Sequence, residues 1–217
     1  MNGRDARVSQ QDVAGVYDSI STFYNVWGKL TESKARTRAL ELADIEDGQR
    51  ILEVAAGTGL AFHEIVKANP GGRNVGIDLS EGMLAKARQR LKKIPASSFE
   101  LKIGSAFDLQ EKDESFDLLI NNYMFDLIPF SDMGKILNEF GRVLKKNGRL
   151  IMVNMTMGEN FGSGIYDRLY SLSPKLMGGC RGIRLSGLLE EHGFHVKTRE
   201  YYQQLLFPSE VISAEKS

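Results

Sequence analysis

The sequence predicts an α/β fold, a doubly wound and mostly parallel sheet with helices on both faces, on three observations. The run Ile51-Leu52-Glu53-Val54 is apolar and branched enough for a buried strand, breaks at Gly57 and Gly59, and resumes at helical spacing in Leu60, Ile65 and Val66. A second strand follows and ends in an acid, Gly76-Ile77-Asp78-Leu79-Ser80. Strands and helices then alternate to the end of the chain, where a helix gives way to two closing strands, about His195 to Gln203 and Ser209 to Ala214.

At 217 residues the chain suits one domain with a full core, and 42% hydrophobic with 26% charged residues is the balance of a globular protein rather than a disordered one. Lys plus Arg equals Asp plus Glu at 28 each, so no net charge draws the chain to nucleic acid, and no nucleic-acid partner is expected. Cys180 is the single cysteine, which excludes an intrachain disulfide and a cysteine metal cluster and fits a reducing cytoplasm. The polar opening lacks the apolar core of a signal peptide, and no run is long enough for a membrane span. A soluble, cytoplasmic protein is the expectation.

Glycine serves two physical purposes at the turn after the first strand. It reaches backbone angles that a Cβ forbids, and its missing side chain lets a ligand lie against the main chain. The helix beginning near Thr58 or Gly59 would aim its free N–H groups and positive dipole end at that ligand. Asp78, at the end of the second strand, is placed to accept both hydroxyls of a ribose. These parts make a nucleoside site. A dinucleotide fingerprint would require a third small residue at position 62, where Phe62 stands. Glu53 argues the same way: a carboxylate inside an apolar strand is costly to bury without a partner, and a ligand ammonium is one such partner.

At these residues the sequence resembles the class I S-adenosylmethionine-dependent methyltransferases, whose first motif runs acid-x-Gly-x-Gly-x-Gly and whose second ends in an acid. The resemblance implies a Rossmann-like, seven-stranded sheet with an antiparallel C-terminal hairpin. It also implies S-adenosylmethionine as cofactor and S-adenosylhomocysteine as product, with Gly57 and Gly59 around the methionine part and Asp78 on the ribose. Ala55 departs from the pattern by standing where the family usually has its first glycine. The opening Tyr17-Asp18-Ser19-Ile20-Ser21-Thr22-Phe23-Tyr24-Asn25 is similar to a family segment that folds over the cofactor, so residues 1–45 are expected to form a helical lid on a cofactor-binding domain of residues 46–217. The alternative for most of these rings is plain core packing, with Tyr17 the exception.

A helix of about Glu32 to Ala43 comes next, whose Arg36 and Arg38 either reach the site or lie on a solvated face; they are kept out of the site set. Ser80 is a good N-cap for a helix from Glu81 to Lys93. By resemblance Leu79, Ser80 and Met83 lie beside the ribose and adenine, while Ser80 as a cap and Met83 as a core residue are the structural readings. After a strand of Phe99 to Ile103, Ser105 replaces a family aspartate that reads adenine, leaving its hydroxyl or the backbone of Ala106 and Phe107 for that task. The strand Phe116 to Ile120 empties into Asn121-Asn122-Tyr123 and Asp126, at the carboxyl end where open α/β sheets hold ligands. A helix from Asp132 to Lys145 and a turn Lys146-Asn147-Gly148-Arg149 lead to the strand Leu150 to Met155. Residues 156–184 are expected to cap the substrate.

Methyl transfer from a sulfonium is an in-line displacement on an activated carbon, so positioning and desolvation can carry much of the rate. Where the acceptor keeps a proton, Tyr123 or Asp126 is the candidate to steer it or take it; Asp126 reads equally as a turn or cap residue. The three histidines read as structural or surface groups, and no His, Asp and Glu spacing suggests a metal. The cofactor set is Tyr17, Glu53, Ala55, Gly57, Gly59, Asp78, Leu79, Met83, Ser105, Ala106, Phe107 and Asn121. The expected partner is a small-molecule acceptor, a quinone precursor, lipid or other apolar metabolite. An NAD-dependent oxidoreductase and a noncatalytic scaffold that binds S-adenosylmethionine are the competing readings.

Overall fold

The computed structural model describes residues 33–95, 98–156, 182–204 and 207–217. The expectations for Tyr17, for the aromatic lid ahead of residue 33 and for most of the substrate cap therefore lie outside the described residues. The elements are α1 (Ser33–Ala43), β1 (Arg50–Val54), α2 (Leu60–Ala68), β2 (Arg73–Asp78), α3 (Glu81–Leu91), β3 (Phe99–Ile103), β4 (Phe116–Asn122), a 3-10 turn (Phe125–Leu127), α4 (Phe130–Val143), β5 (Leu144–Met155), α5 (Ser186–Glu191), β6 (Phe194–Gln204) and β7 (Phe207–Lys216). The strands form one sheet in the order β3-β2-β1-β4-β5-β7-β6. β7 runs antiparallel to both its neighbours and the remaining pairs are parallel. The expected seven-stranded, mostly parallel sheet with an antiparallel close is what the chain forms. No helix among the described residues is long and apolar enough to cross a membrane.

Side chains alternate along each strand, so the sheet has two cores. Leu52, Leu119, Leu150 and Met152 face α4 and α5, whose Ile136, Leu137, Phe140 and Leu189 close one side. Ile51, Leu118, Ile151 and Val153 face α1, α2 and α3 on the other. Phe62, the ring that argues against a dinucleotide site, is fully buried between α2 and the sheet, edge-on to Phe99 at 6.2 Å. It fits because β2 carries Gly76 beneath it: a Cβ there would come within 3.2 Å of the ring.

α1 lies close to the sheet because Ala35, Ala39 and Ala43 repeat every four residues and all are buried. Its ends are tied down by the sheet. Gln204 Oε1 accepts from the first-turn Lys34 N–H at 2.9 Å, and Arg149 donates to the Ala43 carbonyl at 2.6 Å. Arg38 forks onto both oxygens of Glu200 at 2.9 Å each, and that pairing, with a hydrogen bond from Tyr202, holds the Glu200 carboxyl down to about 2. This last part of the region read as a lid is packed on the sheet.

Several boundaries move: the helix expected to reach Lys93 ends at Leu91, and the strand expected to end at Ile120 runs on to Asn122. The helix expected to reach Lys145 ends at Val143, because Leu144 already pairs with Phe116. The expected turn Lys146 to Arg149 is an irregularity inside β5, where pairing jumps from Leu144 to Arg149 and Asn147 takes φ 59°.

At the end of the sheet away from the glycine turn, buried Asn69 and Asn74 knit the strand entrances together. Asn69 donates to the Gln49 carbonyl and to Asn74 Oδ1 at 2.8 Å each and accepts from Gly48 N–H at 2.7 Å. Asn74 donates to the Asn69 and Ser98 carbonyls at 2.9 Å. Asn69→Ala should cost about 2–3 kcal/mol of unfolding free energy in urea titration, because it strands several buried partners. The affinity for a ligand at the opposite end should be unchanged.

Candidate active site

The turn between β1 and α2 is built from left-handed positions at alternate residues, Ala55 at φ 61°, Gly57 at 55° and Gly59 at 75°. Its shape is held by Asp78, whose Oδ2 accepts from Gly57 N–H at 2.8 Å and whose Oδ1 accepts from Ser80 N–H at 2.9 Å. Arg90 of α3 adds a hydrogen bond to the Thr58 carbonyl at 2.9 Å. The two glycines do different work. A Cβ on Gly59 would sit 3.0 Å from Ala87 Cβ and 3.1 Å from its Cα, so Gly59 lets α2 pack on α3. A Cβ on Gly57 would meet nothing within 4 Å. Gly57 is the one whose missing side chain leaves space for a ligand.

That space is a hollow open to solvent and lined by Arg36, Glu53, Ala55, Gly57, Leu60, Asn122 and Tyr123 among others. Glu53 is buried in its wall. Oε1 accepts from Asn122 Nδ2 at 3.2 Å, and Oε2 has no hydrogen-bond partner. Burial pushes the carboxyl up from its ordinary 4.5 to about 8, with Asn122 opposing, Asp78 adding to the rise and Arg36 opposing. A buried carboxylate with one oxygen unanswered is a receptor for a cation. Arg36, across the same hollow, supplies the opposite sign; no ion pair joins the two. Arg90, held at the glycine turn by its bond to the Thr58 carbonyl, is a second cation there, its guanidinium pushed below its usual value by burial and then by the like charge of Arg36.

The sequence profile described as a methyltransferase domain matches residues 45–203. The chain belongs to the class I S-adenosylmethionine-dependent methyltransferases. It is 30% identical over 149 residues to the phosphatidylethanolamine N-methyltransferase of Cereibacter sphaeroides (63% of this chain, 68% of that one) and 28% identical over 158 residues to the demethylmenaquinone methyltransferase of Bacillus subtilis (70% and 67%). Against the arsenite methyltransferase of Halobacterium salinarum, 26% identical over 153 residues, the match spans 70% of this chain and 39% of that one. Among solved structures the fold is similar to the [4+2]-cyclase SpnF (TM-score 0.78, 16% identity, 100% of this chain and 99% of that one). It is also similar to the Haemonchus contortus phospholethanolamine N-methyltransferase 2 in complex with phosphomonomethylethanolamine and S-adenosylhomocysteine (TM-score 0.75, 16%, 96% and 60%).

S-adenosylmethionine is the methyl donor of this methyltransferase, and the hollow fits it. Its amino-acid end has a cationic and an anionic group, which Glu53 and Arg36 match in sign. At the other end of the sheet rim, Leu79 is 45% exposed and Ile103, which pairs with Asp78, is 62% exposed, two bare apolar side chains where a flat base can lie. Sequence reasoning left out Ile103, Asn122 and Arg36 from the cofactor set. A signal existed for Arg36, which follows Ala35 and so flanks the buried stripe of α1.

The other candidates divide. Met83 is buried, and its N–H donates to Ser80 Oγ at 3.0 Å, so Ser80 is the α3 cap. Ser105 Oγ accepts from Phe107 N–H at 3.2 Å, which commits that backbone donor to the loop; Ala106 is buried beside it. Asn121 is fully buried on the other face, donating to the Val54 carbonyl at 2.8 Å, and Asn122 is the residue in the hollow. Tyr123, at φ 52°, lines the hollow and shares a hydrogen bond with Ser209 Oγ at 3.0 Å. Asp126 is fully buried in the 3-10 turn that follows β4. His63 pairs with Glu64 at 2.7 Å, and His192 contacts the Leu188 carbonyl. Among the described residues no three His, Cys, Asp or Glu side chains are grouped to hold a metal ion.

Gly59→Ala should cost about 2–3 kcal/mol of stability through strain and overpacking with little loss of S-adenosylhomocysteine affinity in the folded fraction. Gly57→Ala should cost about 1 kcal/mol and weaken binding far more; chemical denaturation beside calorimetry separates the two. A pH series tests Glu53. Its folded pKa, near 8, lies above the ordinary 4.5, so its share of the unliganded protein's stability is full below 4.5 and is lost as pH rises through 8. Binding of a ligand ammonium needs the ionised form, so S-adenosylhomocysteine affinity should climb with pH toward about 8 and then flatten. In Glu53→Gln this arm of the profile should vanish.

Proposed function

We propose that this methyltransferase moves the methyl group to a small-molecule acceptor with an apolar body, such as a quinone precursor or a lipid, in the cytoplasm. The carrying observation is Glu53, a buried acid with a bare oxygen in a hollow that it shares with Arg36 and the open face of Gly57. Glu53 would hold the cofactor's ammonium, Arg36 its carboxylate and Asp78 the ribose hydroxyls, with Leu79, Ile103, Met83, Ala106 and Phe107 around the base. When bound, the cofactor would supply a methyl on a sulfonium, open to direct displacement by the acceptor as the C–S bond breaks and S-adenosylhomocysteine leaves. The chain's part is to orient and dry the site.

Tyr123 and Asp126 follow β4, at the strand ends. Both are buried, which suits a small acceptor that enters the fold better than a side chain on a large partner. Tyr123, steadied by Ser209, would orient the acceptor, and Asp126 would take its proton where it carries one. The lid of residues 1–45, the domain of residues 46–217 and the cap of residues 156–184 complete this reading, with Tyr17 over the cofactor. The menaquinone and phospholipid enzymes among the relatives support an acceptor with an apolar body.

The test is a melting curve with S-adenosylhomocysteine, with NAD and with neither. Ligand at a hundredfold its dissociation constant adds about 2.7 kcal/mol, a rise of about 5–10 °C in a chain of this size. S-adenosylhomocysteine alone should give it. Arg36→Ala should leave the unliganded midpoint in place and lower affinity by about tenfold to a hundredfold, the value of a charged hydrogen bond. A shift with NAD alone, or an Arg36→Ala protein that binds as tightly as the parent, overturns the assignment.

A further inference from the structure

Asn154 stands inside the apolar run Leu150-Ile151-Met152-Val153-Asn154-Met155 of β5 and is fully buried, yet neither its Nδ2 nor its Oδ1 has a hydrogen-bond partner. Buried amides are nearly always satisfied, and an unanswered one marks a group that something else completes. By alternation it faces the side of Leu150 and Met152, the α4 side, and not the side of Glu53.

Its neighbours extend the feature. Asn154 pairs with Glu210 of β7, and Glu210 pairs in turn with Tyr201 of β6. Residues directly opposite in antiparallel pairs share a face, so the three polar side chains form a row across three strands. The hydroxyl of Tyr201 is also buried without a partner. Glu210 is engaged: it accepts from Arg199 Nε at 2.7 Å and from Leu185 N–H at 3.3 Å. The charge in the row is therefore answered within the fold, and what the row offers a ligand is neutral, an amide and a phenol. It lies at the carboxyl end of β5, which only β4 separates from β1, about 10 Å across the sheet from the glycine turn.

We propose that Asn154 and Tyr201 form a subsite that anchors a neutral carbonyl or hydroxyl oxygen of the methyl acceptor. This rests on the reading that the enzyme methylates a small molecule. The subsite is unsuited to a phosphate, carboxylate or ammonium group, for which the row holds no unmatched charge. It lies on the opposite face of the sheet from Glu53, so the acceptor's polar end and the cofactor's amino-acid end approach the strand tips from different sides.

The test uses the full chain saturated with S-adenosylhomocysteine and four probes that share one apolar body: 1-naphthol, naphthalene, 1-naphthoate and 1-naphthylmethylamine. Calorimetry should show 1-naphthol binding about tenfold tighter than naphthalene, the worth of one good hydrogen bond. That advantage should shrink to about twofold in Asn154→Leu and fall part-way in Tyr201→Phe. Asn154→Leu should melt no lower than the parent, since it removes an unanswered polar group and keeps the volume. Tightest binding by the naphthoate or the amine, no advantage of the hydroxyl, an advantage that survives both substitutions, or an Asn154→Leu protein that melts well below the parent each overturns the subsite. S-adenosylhomocysteine binding is read first in every sample: its loss in the parent sinks the cofactor assignment, whereas its retention with any of those results sinks the subsite alone.

Discussion

The carboxylate of Asp78 is where the site begins. Two backbone N–H groups from different elements converge on it, Gly57 from the turn after β1 and Ser80 from the start of α3, and each takes one oxygen. Charge-assisted bonds of this kind are short and strong. Because Ser80 also caps α3 through Met83 N–H, one carboxylate sets both the shape of the ligand loop and the origin of the helix beside it. A ribose bound there, as proposed, would meet an acid whose orientation is already fixed, so little ordering would remain for the ligand to supply.

The two faces of the sheet each carry a polar residue that breaks an apolar strand. Glu53 interrupts β1 on the α2 side, and Asn154 interrupts β5 on the α4 side. Both are buried and both have an unanswered atom. In a protein that keeps the Asn69 and Asn74 network fully bonded at the other end of the same sheet, such gaps are not a general looseness of packing. They occur at the carboxyl ends of the strands, where an open parallel sheet puts its chemistry.

Much of this was readable in the residues. The strand, turn and helix around Gly57, the acid at the end of β2, the Ser80 cap and the closing antiparallel strand follow from spacing and residue type. Glu53 was legible because a carboxylate in an apolar run is expensive; the same argument applied to Asn154 was there to be made, but an amide is a weaker signal than a charge. What sequence could not separate was the pair of glycines, since Gly57 and Gly59 both take positive φ and only the packing of Ala87 shows that one serves helix contact. It put Asn121 in the cofactor set, whereas Asn122 is the one that lines the hollow, because adjacent residues of a strand point to opposite faces and a shift of one in register exchanges them. Arg36 needed the docked position of α1, which is set by Gln204, Glu200 and Arg149 from the far end of the chain.

β7 has a consequence for how the molecule is made. It follows every other described strand in chain order, yet it lies inside the sheet, paired along its length with β5 on one side and β6 on the other. Until residues 207–216 are in place, β5 has an open apolar edge and β6 has no strand to join. The closing half of the sheet thus waits for residues 207–216 to be inserted between two strands that precede them. Pairing over such sequence distances is slow, and an unpaired edge during the wait invites association with another nascent chain.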